Sequence, residues 1–292
     1  MSTATAPRDV VTPLVPERMP LDNRRAFYEG LEANNKPIIF TDAMKGWPAA
    51  ERWSFDWFTQ QYGDVSVPVE WLRYNARPAG DVERVGRVRK MTMKDYVASL
   101  KVKGKEGEET PGYLIGNDLF RTLPALHRDV RFDEYAVQRR LTEQLFFMGP
   151  KGTFTQLHFD RAHNLHAVMV GRKQWQLYAP SRDVELKPAK LSHPWSVMSS
   201  HDLTPHGGQP DQLPAGKLPD YDFVLEAGEI LYLPYGWWHR VYTVEDAIAT
   251  NYWWWTWSML ARIGPRLIPS IAVSAVKKMR KQQTLGREFR EQ

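Results

Sequence analysis

The feature that most constrains this chain lies between residues 144 and 253, where short aromatic and β-branched runs alternate with turn residues. The runs cover 144–148, 154–160, 165–170, 174–178, 221–225, 230–233, 239–243 and 247–253. Each is too short for a helix that buries one face, and each suits a strand. So many short strands in series point to a β-sandwich or barrel, the arrangements that bury them against one another. Twelve Trp, twelve Tyr and twelve Phe supply rings that pack on a pleated surface.

Upstream the pattern is mixed. Residues 1–20 hold four prolines and little periodicity, which predicts an extended arm. Leu21, Phe27 and Leu31 are spaced for one face of a helix over 21–35, and Lys36-Pro37-Ile38-Ile39-Phe40 reads as a short buried strand. A helix is expected over 54–62 with Ser54 as its N-cap, a weak strand over 65–71, a loop or hairpin over 73–89 and a helix over 92–100. Residues 101–110 are a charged, Gly-containing linker. Residues 186–219, rich in Pro, Gly, His and Ser, form a long insert between strands, and such inserts in compact domains are usually functional or disordered. After residue 257 the pattern turns helical.

Composition removes several classes. With no cysteine, disulfides, thiolate zinc sites, iron–sulfur clusters and a cysteine nucleophile are excluded. No uncharged apolar run is long enough to span a membrane, and residues 1–20 contain no secretory apolar core, so a cytoplasmic location is expected. The formal charge is +5, but residues 274–292 carry six basic against two acidic side chains. The tail therefore holds +4 of it, and the body is not a basic nucleic-acid platform. A solvated helix face is the ordinary reading of such a tail, with contact to nucleic acid or an anionic surface the lesser one.

The chemistry centres on Thr155-Gln156-Leu157-His158-Phe159-Asp160. On a strand His158 and Asp160 leave the same face, and an imidazole beside a carboxylate is two-thirds of a metal site. Such a pair is also common as a solvent-facing hydrogen bond. Of the seven other histidines, His239 has the most suggestive setting, opening a strand after Gly228-Glu229-Ile230-Leu231-Tyr232-Leu233-Pro234 and a second turn. Two His and one carboxylate on one face of a metal leave three positions open, as in non-haem Fe(II) oxygenases.

Residues 152–160, with Asn164 and Lys173 downstream, resemble the JmjC and cupin-like family of Fe(II)/2-oxoglutarate oxygenases, and within it the branch of the asparaginyl hydroxylase called factor inhibiting HIF. Residues 228–234 through Trp238-His239, then Thr250-Asn251-Tyr252-Trp253, match the second half of the pattern. Lys36-Pro37-Ile38-Ile39-Phe40, Gly46-Trp47-Pro48 and Trp53 are similar to the family's N-terminal segment, so the likeness spans about residues 30–258.

The resemblance implies a mainly β fold, a double-stranded β-helix or jelly roll with flanking N-terminal α/β elements and C-terminal helices. In that division, 1–20 is the arm, 21–111 the N-terminal elements, 112–258 the catalytic core and 259–292 helices ending in the basic tail. It implies iron bound by His158, Asp160 and His239. Lys173 would pair with the distal carboxylate of 2-oxoglutarate, joined there by the Thr155 hydroxyl and the Tyr113 phenol, and Asn164 and Asn251 would line the metal-chelating end. Thr155 has the opposite strand parity to His158 and Asp160, so its assignment requires a bulge between them. With O2 as the third reactant, 2-oxoglutarate would yield succinate and CO2 while a C–H bond of a peptide, protein side chain or small metabolite is hydroxylated.

Two other readings stand beside this one: a cupin-like module that binds a metal or small acid without turnover, and a metal cupin doing non-redox chemistry. Taken singly, Lys173 reads as a surface lysine, and Asn251 equally as a core amide or a site residue. His163 and His166 are not taken as ligands, and His193, His201 and His206 read as ordinary loop histidines. The family's C-terminal helices imply a homodimer.

Overall fold

The structure is a computed structural model. It describes residues 12–21, 31, 35–76, 82–100, 112–132, 142–186, 188, 196–199, 218–256 and 259, with the backbone alone at 72–76, 82–87 and 117. The expected helices over 21–35 and after residue 259, the linker 101–110 and most of the insert 186–219 lie outside the described residues.

The strands are β1 (Glu17–Met19), β2 (Ile38–Phe40), β3 (Ser66–Ala76), β4 (Val82–Thr92), β5 (Leu114–Asn117), β6 (Thr142–Gly149), β7 (Phe154–Asp160), β8 (His163–Val170), β9 (Lys173–Tyr178), β10 (Ser196–Met198), β11 (Tyr221–Leu225), β12 (Ile230–Leu233), β13 (Trp238–Thr243) and β14 (Ala247–Trp254). One sheet runs β1-β2-β12-β8-β14-β6-β5 and the other β10-β7-β13-β9-β11. From β6 to β9 the chain alternates between the sheets strand by strand, and it does so again from β11 to β14. That winding is a double-stranded β-helix, the jelly roll expected from the sequence.

Parity explains why β8 is buried along almost its whole length. Leu165, Ala167 and Met169 face outward and pack with Trp47, Trp53, Phe58 and Tyr96 of the N-terminal elements. Val168 faces inward, against Trp175, Leu177, Leu231, Val241 and Ala249 of the interior. A strand covered on both faces cannot alternate in polarity. Each buried side chain of this size contributes about 1.5–3 kcal/mol through the hydrophobic effect.

The helix Phe55–Tyr62 begins as expected: the Ser54 hydroxyl accepts a hydrogen bond from the Trp57 amide at 3.0 Å. Where a loop or hairpin was expected over 73–89, β3 and β4 pair antiparallel from Ser66↔Thr92 to Ala76↔Val82. β1, β5 and β10 were not read from the sequence. They have three or four residues each, too few to display a period of two, and β10 lies inside the insert expected to lack structure. No described helix is long and apolar enough to cross a membrane.

Candidate metal and co-substrate site

Both members of the His-x-Asp pair lie on β7, and β13 runs antiparallel beside it with His239 opposite His158. A turn delivers His239 to this place: Gly236 adopts φ 81°, a conformation most side chains resist, and its amide donates to the Asp160 carbonyl at 3.2 Å. The candidate donor atoms of His158, Asp160 and His239 all lie within 4.8 Å of one another, and all three residues are buried. His158 Nε2 is 3.7 Å from Asp160 Oδ1, and His239 Nε2 is 3.6 Å from Oδ2. Ligands at right angles around an ion with bonds of about 2.1 Å sit roughly 3 Å apart, so a small inward shift of each would suffice.

The tautomers follow from the partners. His158 Nδ1 lies 2.7 Å from the Gln156 carbonyl and His239 Nδ1 lies 3.0 Å from the Trp237 carbonyl. A carbonyl has no proton to give, so each Nδ1–H donates and each Nε2 presents a lone pair to the cluster. Burial, aided by the neighbouring His158, holds His239 well below the ordinary histidine pKa, which keeps that lone pair available. The Ser196 hydroxyl on β10 donates to Asp160 Oδ1 at 2.6 Å, which helps to orient the carboxylate. This donor set suits a divalent first-row ion, which would be held by His158 Nε2, His239 Nε2 and Asp160.

Further along the interior lies Lys173, only 1% exposed. Its ammonium donates to the Tyr113 hydroxyl at 2.9 Å and lies over the rings of Tyr113 and Phe147, and no carboxylate of the described residues pairs with it. Tyr113 can lie there because residue 149 is glycine: a Cβ on Gly149 would come 2.5 Å from Tyr113 Cδ2. Trp175 Nε1 and His166 Nε2 are buried without a partner among the described residues. A buried cation beside an indole N–H and an imidazole nitrogen that lack partners among the described residues fits an anion, because each such group is costly to leave unmet.

The other expected residues fall as follows. β13 pairs His239 with His158 but Val241 with Thr155, so β7 carries an extra residue between Thr155 and His158. This is the bulge that the sequence required, and it sets Thr155 opposite inward-facing Val241. Asn251 and His166 are opposite each other on β14 and β8. Asn251 Oδ1 accepts from the Leu145 amide at 3.1 Å, which leaves its NH2 to donate. Asn164 Oδ1 is buried without a partner among the described residues. His163 faces away from the interior, where its Nδ1 meets the Tyr232 hydroxyl at 3.1 Å and its ring stacks on Trp254. His193, His201 and His206 lie outside the described residues. His166, not taken as a ligand from the sequence, shares the parity of Asn164 and packs against Phe147 and Trp175, and Ser196, beside Asp160, had no sequence signal.

A jelly roll with two imidazoles and a carboxylate gathered inside it has the architecture of cupin-type proteins. The chain belongs to the cupin-like domain family, whose pattern it matches over residues 24–258, and the named relatives are JmjC members. Over 257 residues it is 28% identical to the 2-oxoglutarate and iron-dependent oxygenase JMJD4 of Gallus gallus, covering 78% of this chain and 57% of that protein. Over 226 residues it is 27% identical to the lysine-specific demethylase 8 of Xenopus tropicalis, covering 75% and 48%. Over 221 residues it is 29% identical to the lysine-specific demethylase JMJ30 of Arabidopsis thaliana, covering 75% and 49%. The chain thus spans about half the length of the curated relatives it matches, and these names agree with the JmjC family without specifying the asparaginyl hydroxylase branch.

Proposed function

We propose that the chain is an Fe(II)/2-oxoglutarate-dependent dioxygenase that hydroxylates a C–H bond of a peptide, protein side chain or small metabolite, releasing succinate and CO2. The observation that carries the reading is the pairing of a buried two-His-one-carboxylate cluster with a buried lysine that faces no carboxylate of the described residues. The first binds a cation with positions to spare and the second an anion, and a chelating dicarboxylate is the molecule that needs both.

In this reading His158, Asp160 and His239 are the metal ligands, and bound iron with O2 supplies the oxidising chemistry. Lys173 and Tyr113 hold the distal carboxylate, with Thr155 beside them across the bulge. Asn164 and Asn251 line the chelating end as amide donors. The interior rings of Phe147 and Trp175 exclude water from the reacting end. The names of two relatives mention lysine demethylation, and a methyl C–H is one bond that such chemistry attacks. Hydroxylation of a stable C–H bond is the reading adopted for this chain. A reducing, cytoplasmic setting suits both ferrous iron and a chain without cysteine. Pairing of two copies through residues 259–292 would appear as a dimer mass in solution.

The test is anaerobic addition of Fe(II) and 2-oxoglutarate, followed by absorption spectroscopy. A metal-to-ligand charge-transfer band is expected in the wild type and not in His158→Ala or Asp160→Ala. A wild type without the band, or variants that keep it, would refute the assignment. Uncoupled succinate formation separates an oxygenase from a cupin that only binds.

A further inference from the structure

We infer that His166 is a co-substrate-binding residue, a neutral imidazole whose Nε2–H donates a hydrogen bond to the dicarboxylate between the lysine end and the metal end. This rests on the 2-oxoglutarate reading above and assigns a residue that reading does not require.

Position comes first. The His166 ring lies 5.4 Å from that of Phe147 and 4.9 Å from that of Trp175. Phe147 lies in turn 5.8 Å from Lys173 Nζ, and Trp175 stacks on the ring of His239 at 5.6 Å. His166 therefore sits one ring away from each end of the site. The register of β9 and β13 gives the scale: Thr243 is opposite Lys173 and His239 is opposite Leu177. Four residues of strand cover about 13 Å. A lysine side chain and a five-carbon diacid laid end to end fill such a span, and the diacid then passes His166.

Chemistry comes second. His166 is 4% exposed, and its Nε2 has no partner among the described residues. A ring that served packing alone could be phenylalanine, which carries no polar atom to strand in a core. Burial and the charge of Lys173 both hold His166 well below the ordinary histidine pKa, so the ring is uncharged and keeps one N–H to donate. Charge balance favours that state. A divalent ion, Asp160, Lys173 and a dianionic diacid already sum to zero, and a second cation would leave net charge buried. A neutral imidazole adds a directed hydrogen bond without disturbing the balance.

The experiment uses the full chain loaded with Mn(II), without O2, and reads 2-oxoglutarate binding by calorimetry. His166→Phe keeps an aromatic ring and is expected to raise the Kd for 2-oxoglutarate by about ten- to a hundredfold, the weight of one hydrogen bond to a charged group. The Kd for Mn(II) should stay within twofold, because the variant leaves the ligands intact. A 2-oxoglutarate Kd within twofold of wild type overturns the inference while leaving the co-substrate reading in place. A wild type that binds no 2-oxoglutarate overturns both. A second measurement needs no variant: in Zn(II)-loaded wild-type protein with 15N-labelled histidine, the His166 Nε2–H resonance should move downfield on adding 2-oxoglutarate, and an unmoved resonance overturns the inference.

Discussion

Replacing Lys173 with methionine should make the co-substrate-free protein more stable and make it blind to 2-oxoglutarate. The two effects have opposite signs and a single cause. Lys173 is 1% exposed and the Tyr113 hydroxyl is its one hydrogen-bond partner among the described residues, so most of its ammonium is unmet by them. Methionine keeps much of the stem and deletes the charge. Removing a buried charge that lacks a counter-ion is worth about 3–5 kcal/mol, and orphaning the Tyr113 hydroxyl returns about 1–3 kcal/mol. A net gain of about 2 kcal/mol raises the melting temperature by roughly 4–8 °C at 2–4 °C per kcal/mol. In the wild type, 2-oxoglutarate at a hundred times its Kd adds about 2.7 kcal/mol, and in the variant it should add nothing. The assay is a thermal melt at fixed Mn(II), with and without 2-oxoglutarate, in a buffer free of carboxylates. A Lys173→Met protein that melts below the wild type when no 2-oxoglutarate is present would mean that the ammonium is already compensated, by water for example. The argument from a site short of anions would then fail.

The remaining expectations are narrower. His166 and His239 both stay neutral in the folded protein well below pH 6.5. The unfolded chain takes up their protons and the folded one does not, so stability falls as pH drops from 7.5 to 5.5, by about 1.4 kcal/mol for each histidine. Urea unfolding of metal-free protein should show this loss shrinking by about 1.4 kcal/mol in His166→Phe, and an unchanged loss would contradict the buried neutral state. Gly149→Ala places a Cβ 2.5 Å from Tyr113 Cδ2. It should cost about 1–3 kcal/mol of stability and weaken 2-oxoglutarate binding as the phenol leaves Lys173, which calorimetry reads. Ser196→Ala removes the hydroxyl that orients Asp160, and Mn(II) titration should show about tenfold weaker metal binding with unchanged 2-oxoglutarate affinity at saturating metal.

Much of the fold was legible because it rests on local period. The eight strands read from residues 144–253 match the observed ones to within two residues at each end. Ser54 announced its helix because a cap is a matter of three residues. What escaped was non-local or too short. β10 has three residues and exists only because the edge of β7 is there to receive it, from Ser196↔Asp160 to Met198↔His158. β5 likewise depends on β6. Neither segment carries enough sequence to declare itself.

The site divides along the same line. His158 and Asp160 were legible as a pair because parity is a local rule. Thr155 broke that rule, and its repair, the extra residue of β7 facing β13, is a property of two strands that a reading of one cannot supply. Tyr113 meets Lys173 through a bridge to Glu70 and the bare backbone of Gly149, neither of which marks the residues around it. His166 is the reverse case, a residue weighed from the sequence only as a metal ligand. The parity that joins His158 to Asp160 also joins His166 to Asn164, and Asn164 was already assigned to the interior. Parity is thus the stronger guide wherever a strand keeps its ladder, and it fails only at a bulge. A polar residue two places from an assigned site residue, on a stretch of strand whose register is regular as it is from Asn164 to His166, belongs to that site until its partners place it elsewhere, as Tyr232 and Trp254 do for His163 on the opposite face.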